Sequence, residues 1–278
     1  MSIEIPPLAG VIGWPIGHSK SPVLHGHWLK RYGINGHYVP IGLRPENFED
    51  GLRSLMALGF KGVNVTIPYK ENVLSIATSV SDRAALIGAA NTLIFRENGG
   101  IRADNTDGYG FIANIRQHAP DWDATAGAAL VLGAGGASRA IVSSLLQEGA
   151  EEVRIANRTR HRADILKDQF GAKVVVVDWA RINDATDGVG TLVNTTSLGM
   201  EGQPPLKIRL SGLPKSALVT DLVYAPLKTE LLQSAEEFGL QTVDGLGMLL
   251  HQAVPGFEAW FDHRPTVDDD LRAAVLAG

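Results

Sequence analysis

The amino-acid sequence predicts an α/β protein of two domains, each carrying a mostly parallel sheet. Three observations predict it. A short apolar run at residues 129–132 passes through Gly133-Ala134-Gly135-Gly136-Ala137-Ser138 into 139–146, where the apolar spacing is helical. A second strand at 152–156 follows, so a strand–helix–strand unit is complete. Strand-length runs alternate with helical spacing before and after this unit, and 278 residues suffice for two domains. The expected division gives residues 1–108 plus 246–278 to one domain and 109–245 to the domain built around the glycine turn.

Composition narrows the functional class. A chain that is 45% hydrophobic and 20% charged has the balance of a globular protein. Its net charge of −5, with no long basic stripe, argues against a nucleic-acid or membrane-surface partner. There is no cysteine, which excludes disulfides, thiolate catalysis and cysteine-ligated metals. No basic region followed by an apolar core opens the chain, and no apolar run reaches membrane-spanning length. A cytoplasmic protein acting on a small molecule, as a monomer or homodimer, is the expectation.

Taken in order, residues 8–13 read as a first strand, followed by Gly13-Trp14-Pro15-Ile16-Gly17-His18-Ser19-Lys20-Ser21-Pro22. Ser21 before Pro22 is a helix-start signal, a capping hydroxyl and then a proline whose missing N–H costs nothing there. On that account Ser21 is a cap and Ser19 a polar loop residue. Residues 37–41 form a second strand and 45–58 a helix with apolar positions at Phe48, Leu52, Leu55 and Met56. Residues 62–67 form a third strand that carries Asn64 and Thr66 on one face, because side chains alternate. It breaks at Pro68, and Lys70 follows at an expected helix start. Polar groups converging at the C-terminal end of a strand mark where α/β sheets place ligands. Lys70 is either a solvated lysine or a functional one; a cation at a helix start is electrostatically unfavourable, so its position asks for a reason.

A helix at 81–88 leads to two strands, 89–95 and 100–105, joined by a turn at Asn98-Gly99-Gly100. The second ends in Asp104-Asn105-Thr106-Asp107-Gly108, where Asp107 is either the cap of the helix at 109–118 or a functional carboxylate. Beyond the central unit, strands at 173–178, 190–194, 217–221 and 241–244 and a helix at 228–238 complete a mostly parallel sheet. A long, broadly apolar helix opens at Gly245-Leu246-Gly247 and is expected to return to the first domain, with hinges near Gly108 and Gly245.

The glycine turn has the geometry that holds a pyrophosphate: glycine lets the backbone approach, and free N–H groups at the helix start face the anion. Ser138 stands where the third glycine of the G-x-G-x-x-G pattern would be. Enzymes that use NAD place an acid about 20 residues on, against the ribose hydroxyl. Here the segment after the second strand is Asn157-Arg158-Thr159-Arg160-His161-Arg162, without an acid. Guanidinium groups bind a 2′-phosphate that a carboxylate would repel, so the cofactor expected is NADP. The alternative is a solvated basic helix start, which the helix dipole disfavours.

The segments GWPIGHSKSP, GVNVTIPYK, GAANTL, DNTDG, GAGGASRA, NRTRHRA, NTTSLGM, DLVYAP and GLGMLLHQ, in this order, resemble the shikimate dehydrogenase family nearly end to end. The resemblance implies a substrate domain followed by a Rossmann-type NADP domain, and reduction of 3-dehydroshikimate to shikimate in aromatic amino-acid biosynthesis. It implies Lys70 and Asp107 as the catalytic pair. Ser19, Ser21, Asn64, Thr66, Asn91, Tyr224 and Gln252 would hold the substrate, together with that pair. Gly133, Ala134, Gly135, Gly136 and Ala137, with Ser138, would line the pyrophosphate turn, and Asn157, Arg158, Thr159 and Arg162 would hold the 2′-phosphate. Leu222 and Gly245 would lie close to the nicotinamide, and Asp82 aligns with a cofactor-proximal acid. Residue 69 is tyrosine where Phe or His is frequent. Ketone reduction by hydride needs a proton for the developing alkoxide; with no zinc site visible in the sequence, a side chain such as Lys70 must supply it. The competing readings are a quinate/shikimate dehydrogenase that uses NAD and a non-catalytic dinucleotide sensor.

Overall fold

The computed structural model describes residues 5–278. They divide by their contacts into two units, residues up to Thr106 together with Leu250–Gly278, and Asp107–Leu249. In the first unit the strands β1 (Leu8–Gly13), β2 (His37–Gly42) and β3 (Phe60–Val65) run parallel, linked by the helices α1 (Ser21–Arg31) and α2 (Phe48–Ala57). A one-turn helix α3 (Val73–Ile76), a two-residue strand β4 (Ser79–Val80) and α4 (Asp82–Ile87) then lead into the hairpin of β5 (Thr92–Phe95) and β6 (Ile101–Asp104). The sheet order is β2-β1-β3-β5-β6-β4. Three of its five pairings are parallel; β5 runs antiparallel to both of its neighbours.

Local sequence explains these elements. Helix α2 turns Phe48, Leu52 and Leu55 onto Val63, Val65 and Leu93 of the sheet, as their spacing predicts. Helix α4 is closed at both ends: Ser81 Oγ accepts from the Ala84 amide at 3.2 Å, and Gly88 takes the left-handed conformation at φ 73°. Three expectations need correction. Ser21 is not a cap, since Lys20 occupies that position without a side-chain cap bond and Ser19 Oγ accepts from the Ser21 amide at 3.3 Å. Strand β3 ends at Val65, so Thr66 lies just past it, although its amide still donates to Ile12 O at 2.9 Å. Lys70 sits in a turn before α3, which is too short to have an appreciable dipole, so the electrostatic argument about its position falls away.

The second unit opens with α5 (Asp107–His118). The strand β7 (Ala128–Leu132), helix α6 (Gly136–Gln147) and strand β8 (Val153–Asn157) follow. Next come α7 (Arg160–Phe170), β9 (Val174–Asp178), β10 (Val189–Asn194), β11 (Leu218–Asp221), α8 (Glu230–Glu237) and β12 (Gln241–Val243). The sheet order is β12-β11-β10-β7-β8-β9 with every pairing parallel, a doubly wound Rossmann arrangement. The apolar run of β7 is continuous because both faces are covered. Ala129 and Val131 pack with Phe111 and Ile115 of α5 and Ile141 and Leu145 of α6. Leu130 and Leu132 face the opposite side, with Leu192, Leu231 and Leu232. Helix α6 starts at Gly136, three residues earlier than the apolar spacing alone suggests, so the glycine turn is partly helix.

The final part of the chain is α9 (Leu246–Phe261) and α10 (Asp269–Ala277). Most of α9, from Leu250, and all of α10 belong to the first unit. Trp260 Nε1 of α9 donates to Leu93 O at 3.0 Å, across the space where a Gly62 side chain would stand. Trp28 Nε1 of α1 donates to Thr266 O at 2.9 Å, and Arg31 pairs with Asp268 at 2.6 Å. Trp28, Phe257 and Trp260 enclose His25 on this side of the sheet, with the Tyr38 ring stacked on the imidazole at 3.9 Å. Strand β4 and helix α10 have no clear signal in the sequence. The first is too short to show a period, and the second spans only a few turns, with its cap Asp268 hidden among acidic neighbours.

Candidate active site

In the first unit, the predicted substrate groups collect at one edge of the sheet. Strands β1 and β3 end there; because β5 is antiparallel, it begins there, and β6 ends there. The register sets Asn64 opposite Thr92 and Thr92 opposite Asp104, a polar row across three strands. Asn64 is committed at both ends of its amide. Its Oδ1 accepts from Tyr38 OH at 2.7 Å, and its Nδ2 donates to Asn91 O at 3.2 Å and Thr92 Oγ1 at 3.3 Å. Further ligation by Asn64 therefore rests on the second lone pair of Oδ1. Asn91 is the centre of the row: its Oδ1 accepts from the Thr106 amide at 2.9 Å and Thr92 Oγ1 at 3.0 Å, and its Nδ2 donates to Gln252 Oε1 at 3.2 Å. Thr106 Oγ1 donates to Gln252 O at 2.8 Å, so Asn91, Thr106 and Gln252 are one network. Lys70 is tied to the same place through its backbone, whose carbonyl accepts from the Ala90 amide at 2.7 Å. Ser19 and Ser21 follow β1 and stand half-buried and buried.

Charge in this unit is managed by Arg83. It holds Asp104 bidentately, through Nε at 2.6 Å and through Nη2, while Ser81 Oγ donates to the same carboxylate at 2.6 Å and the Asn105 amide at 2.8 Å. Burial pushes the Asp104 carboxyl up; the Arg83 and Ser81 bonds, the Arg83 charge and the Asn105 amide outweigh it and hold the group below the usual range. Asp104, Asn105 and Thr106 are thus pinned one after another, and Asp107, buried, begins α5 directly after them. Asp82 is the first residue of α4, beside Arg83. Tyr69, where a Phe or His is frequent in the family resembled, stacks on Phe48 at 4.0 Å and bonds Leu43 O through its hydroxyl. His25 has no hydrogen-bond partner on either ring nitrogen; burial lowers its pKa to about 3, with Asn64 pulling weakly the other way. Burial likewise raises the Tyr38 hydroxyl, opposed by Ser21.

In the second unit, the switch in strand order lies between β7 and β10, and the glycine turn stands at its C-terminal side. Gly133, at φ 111°, has room for no side chain, because a Cβ would lie 2.5 Å from Thr195 Oγ1. Two amides of the turn are already engaged, Ala134 N with Asn157 Oδ1 at 3.1 Å and Gly135 N with Ser138 Oγ at 3.1 Å. Ser138 Oγ also meets Thr195 Oγ1 at 2.6 Å, so the residue in the third glycine's place closes the turn onto β10. The first-turn N–H groups of Gly136, Ala137 and Ser138 have no intrahelical acceptor and are the ones placed to meet an anion. A Cβ at Gly135 or Gly136 would meet nothing within 4 Å. The packing around the turn does not require glycine at these positions, and close approach of a phosphate to the protein backbone would, so the turn fits a pyrophosphate.

Asn157 joins this turn to the basic segment: its Oδ1 takes the Ala134 amide, and its Nδ2 donates to Thr159 O at 2.8 Å. Arg160 is held by Asp178 and lies 3.8 Å from Asp164. Arg158 and Arg162 are exposed and carry no ion pair among the described residues, which makes them the guanidinium groups suited to a 2′-phosphate. Leu222 and Gly245 do come together, since a Cβ on Gly245 would lie 2.4 Å from Leu222 O; Tyr224 follows, exposed. Sequence reasoning missed Tyr38, Thr92, Arg83, Asp104 and Thr195. Thr92, Asp104 and Thr195 stood inside the motifs GAANTL, DNTDG and NTTSLGM, and Tyr38 and Arg83 offered only ordinary strand and helix positions.

A doubly wound domain with a glycine turn shaped for a pyrophosphate and a basic segment after β8, joined to a domain with a polar row at its sheet edge, defines a nicotinamide-dinucleotide-dependent oxidoreductase. Residues 11–93 match the family described as the shikimate dehydrogenase substrate binding domain, 116–198 that of shikimate / quinate 5-dehydrogenase, and 245–274 the shikimate 5′-dehydrogenase C-terminal domain. A shikimate dehydrogenase (NADP(+)) of Paracoccus denitrificans is 65% identical over 271 residues, 98% of this chain and 96% of that protein. The structure of quinate dehydrogenase from Corynebacterium glutamicum in complex with NAD aligns with a TM-score of 0.90 at 31% identity, covering 98% of this chain and 99% of that one. That of shikimate 5-dehydrogenase from Thermus thermophilus in complex with NADP(H) and shikimate aligns at 0.85 and 33% identity, over 98% and 99%. The chain belongs to the shikimate dehydrogenase family. Among the described residues, no helix is long and apolar enough to cross a membrane.

Proposed function

We propose that this chain reduces 3-dehydroshikimate to shikimate reversibly with NADP, in the cytoplasm, as a step of aromatic amino-acid biosynthesis. The observation that carries the reading is the Asn157 brace, which sets a pyrophosphate-shaped turn beside a basic segment that lacks any carboxylate able to repel a 2′-phosphate. NADP supplies the hydride when bound. Gly136, Ala137 and Ser138 hold its pyrophosphate through backbone N–H groups, and Arg158 and Arg162 hold the 2′-phosphate. Lys70 stabilises the developing alkoxide as a cation and donates the proton at its Nζ; Asp107 orients that ammonium and accepts from a neighbouring substrate hydroxyl. Ser19 and Ser21 receive the carboxylate. Thr66, Asn91, Tyr224 and Gln252 meet the remaining hydroxyls, each of which would be costly to leave unpaired in a closed pocket.

The test is NADP+ reduction followed at the nicotinamide band, with shikimate as substrate and quinate with NAD+ as control. Turnover with shikimate and NADP+ is expected to dominate, and Lys70→Ala to lower kcat by about 10²-fold with little change in KM. Preference for quinate and NAD+ would favour the second reading, which the likeness to the Corynebacterium glutamicum structure keeps in view. A silent absorbance trace with every pair would leave only a dinucleotide sensor.

A further inference from the structure

The mechanism above leaves unused a fully buried carboxylate in the second unit. Asp221, the last residue of β11, has no exposed surface. Its Oδ1 accepts from Asn194 Nδ2 at 2.9 Å and from the Val223 amide at 3.0 Å, and its Oδ2 accepts from Thr229 Oγ1 at 2.8 Å. All three partners are donors, and no ion pair reaches Asp221 among the described residues. Burial pushes the carboxyl up, and the three bonds only partly offset it. For stability alone, an uncharged side chain would cost less at such a site.

What the carboxylate does is fasten one loop at both ends. The near end is the chain leaving β11: the Leu222 amide donates to Asn194 O at 2.9 Å, and the next amide, Val223, goes to Asp221 itself. The far end is Thr229, whose hydroxyl bonds Asp221 and also caps α8 by accepting from the Leu232 amide. Between them lie Leu222 and Tyr224. The Leu222 carbonyl is pressed against Gly245, where a Cβ would come within 2.4 Å of it. Asn194, Asp221 and Thr229 are all buried, so none is exposed to meet a ligand directly.

We propose that Asp221, with Asn194 and Thr229, is a positioning residue for the nicotinamide end of the cofactor site, holding the Leu222–Val223 backbone against Gly245. The inference rests on the dehydrogenase reading, in which Leu222 and Gly245 lie beside the nicotinamide. It separates two jobs within one domain. The glycine turn and Arg158 set how tightly the dinucleotide binds, and the Asp221 clamp sets how well its reactive end is placed, which governs turnover rather than affinity.

The experiment uses the full chain with Asp221→Ala, Asp221→Asn and Thr229→Val. Hydrogen exchange of the Leu222 and Val223 amides is read without substrate, NADP+ affinity by calorimetry, and kcat with saturating shikimate. Asp221→Ala is expected to speed exchange at both amides and to lower kcat by about tenfold or more while the NADP+ Kd stays within about threefold. Asp221→Asn keeps an oxygen at the Oδ1 position and is expected to restore most of both. Should Asp221→Ala fail to fold, Thr229→Val, which cuts the far anchor together with the α8 cap and leaves the near anchor in place, is expected to show the same split in weaker form. Unchanged exchange at Leu222 and Val223, or losses in kcat matched by equal losses in NADP+ affinity, would overturn the proposal. A wild-type enzyme inert toward shikimate would sink the dehydrogenase reading instead, and the exchange measurement would stand apart from that failure.

Discussion

The most direct energetic test concerns His25. Its imidazole is enclosed by Trp28, Tyr38, Phe257 and Trp260, with neither nitrogen bonded, and burial lowers its pKa from 6.5 to about 3. Between those values the unfolded chain carries a proton at this site and the folded chain does not. Stability is therefore complete above pH 6.5 and declines as pH falls toward 3. The slope is about 1.4 kcal/mol per pH unit, so His25 alone removes about 2 kcal/mol between about pH 7 and about pH 5. His25→Phe keeps a ring to stack on Tyr38 and has nothing to protonate. Urea unfolding of both proteins at the two pH values measures the effect. The wild type is expected to lose about 2 kcal/mol more than the variant over that interval. The variant should also gain about 1–3 kcal/mol at about pH 7, because two unpaired buried nitrogens are gone. Equal losses on acidification in the two proteins would refute the reasoning.

Other outcomes follow from the same geometry. Gly135→Ala is expected to leave thermal stability unchanged, since its methyl meets nothing in the chain, and to raise the KM for NADP+ at least tenfold; melting curves beside steady-state kinetics separate the two effects. Arg158→Ala should cost the NADP+ complex about 1.5–3 kcal/mol, a loss of about 10- to 150-fold in kcat/KM with NADP+ and little with NAD+. Asp104→Asn acts on the acid side. The wild-type carboxyl is held below its ordinary 3.8, so its stabilisation is present above that pH and fades as pH falls through the lower folded value. The variant should be less stable near neutrality and should show a flatter acid limb in a melting-temperature series.

Much of the second unit could be read from the sequence because its signals are local. The apolar run of β7, the glycines after it and the basic segment after β8 lie within a few dozen residues and fall where spacing puts them. The first unit was less legible. The hairpin of β5 and β6 was read from its turn, but its place in the sheet order was not, and the two-residue β4 is too short to show a period. Of the polar row, Asn64 and Asn91 were named, while Thr92 and Asp104 were not, and the partners of these residues were not visible. That Asn64 is gripped by Tyr38, or that Asn91 holds the Thr106 amide, depends on pairings between residues 26 and 15 apart. Ser21 shows the limit of a dipeptide signal: Ser19 bonds the Ser21 amide, although the serine-proline pair pointed to Ser21 as the cap.

The two-ended bond of Asn157 has a consequence for anyone redesigning coenzyme preference. One amide side chain spans the glycine turn and the basic loop after β8, so on the proposed reading the two cannot be exchanged as separate parts. A library aimed at NAD should keep residue 157 as asparagine and vary 158 and 162. It should also leave Arg160 and Asp178 together, because freeing that arginine would return a positive charge to the loop from which charge is being withdrawn.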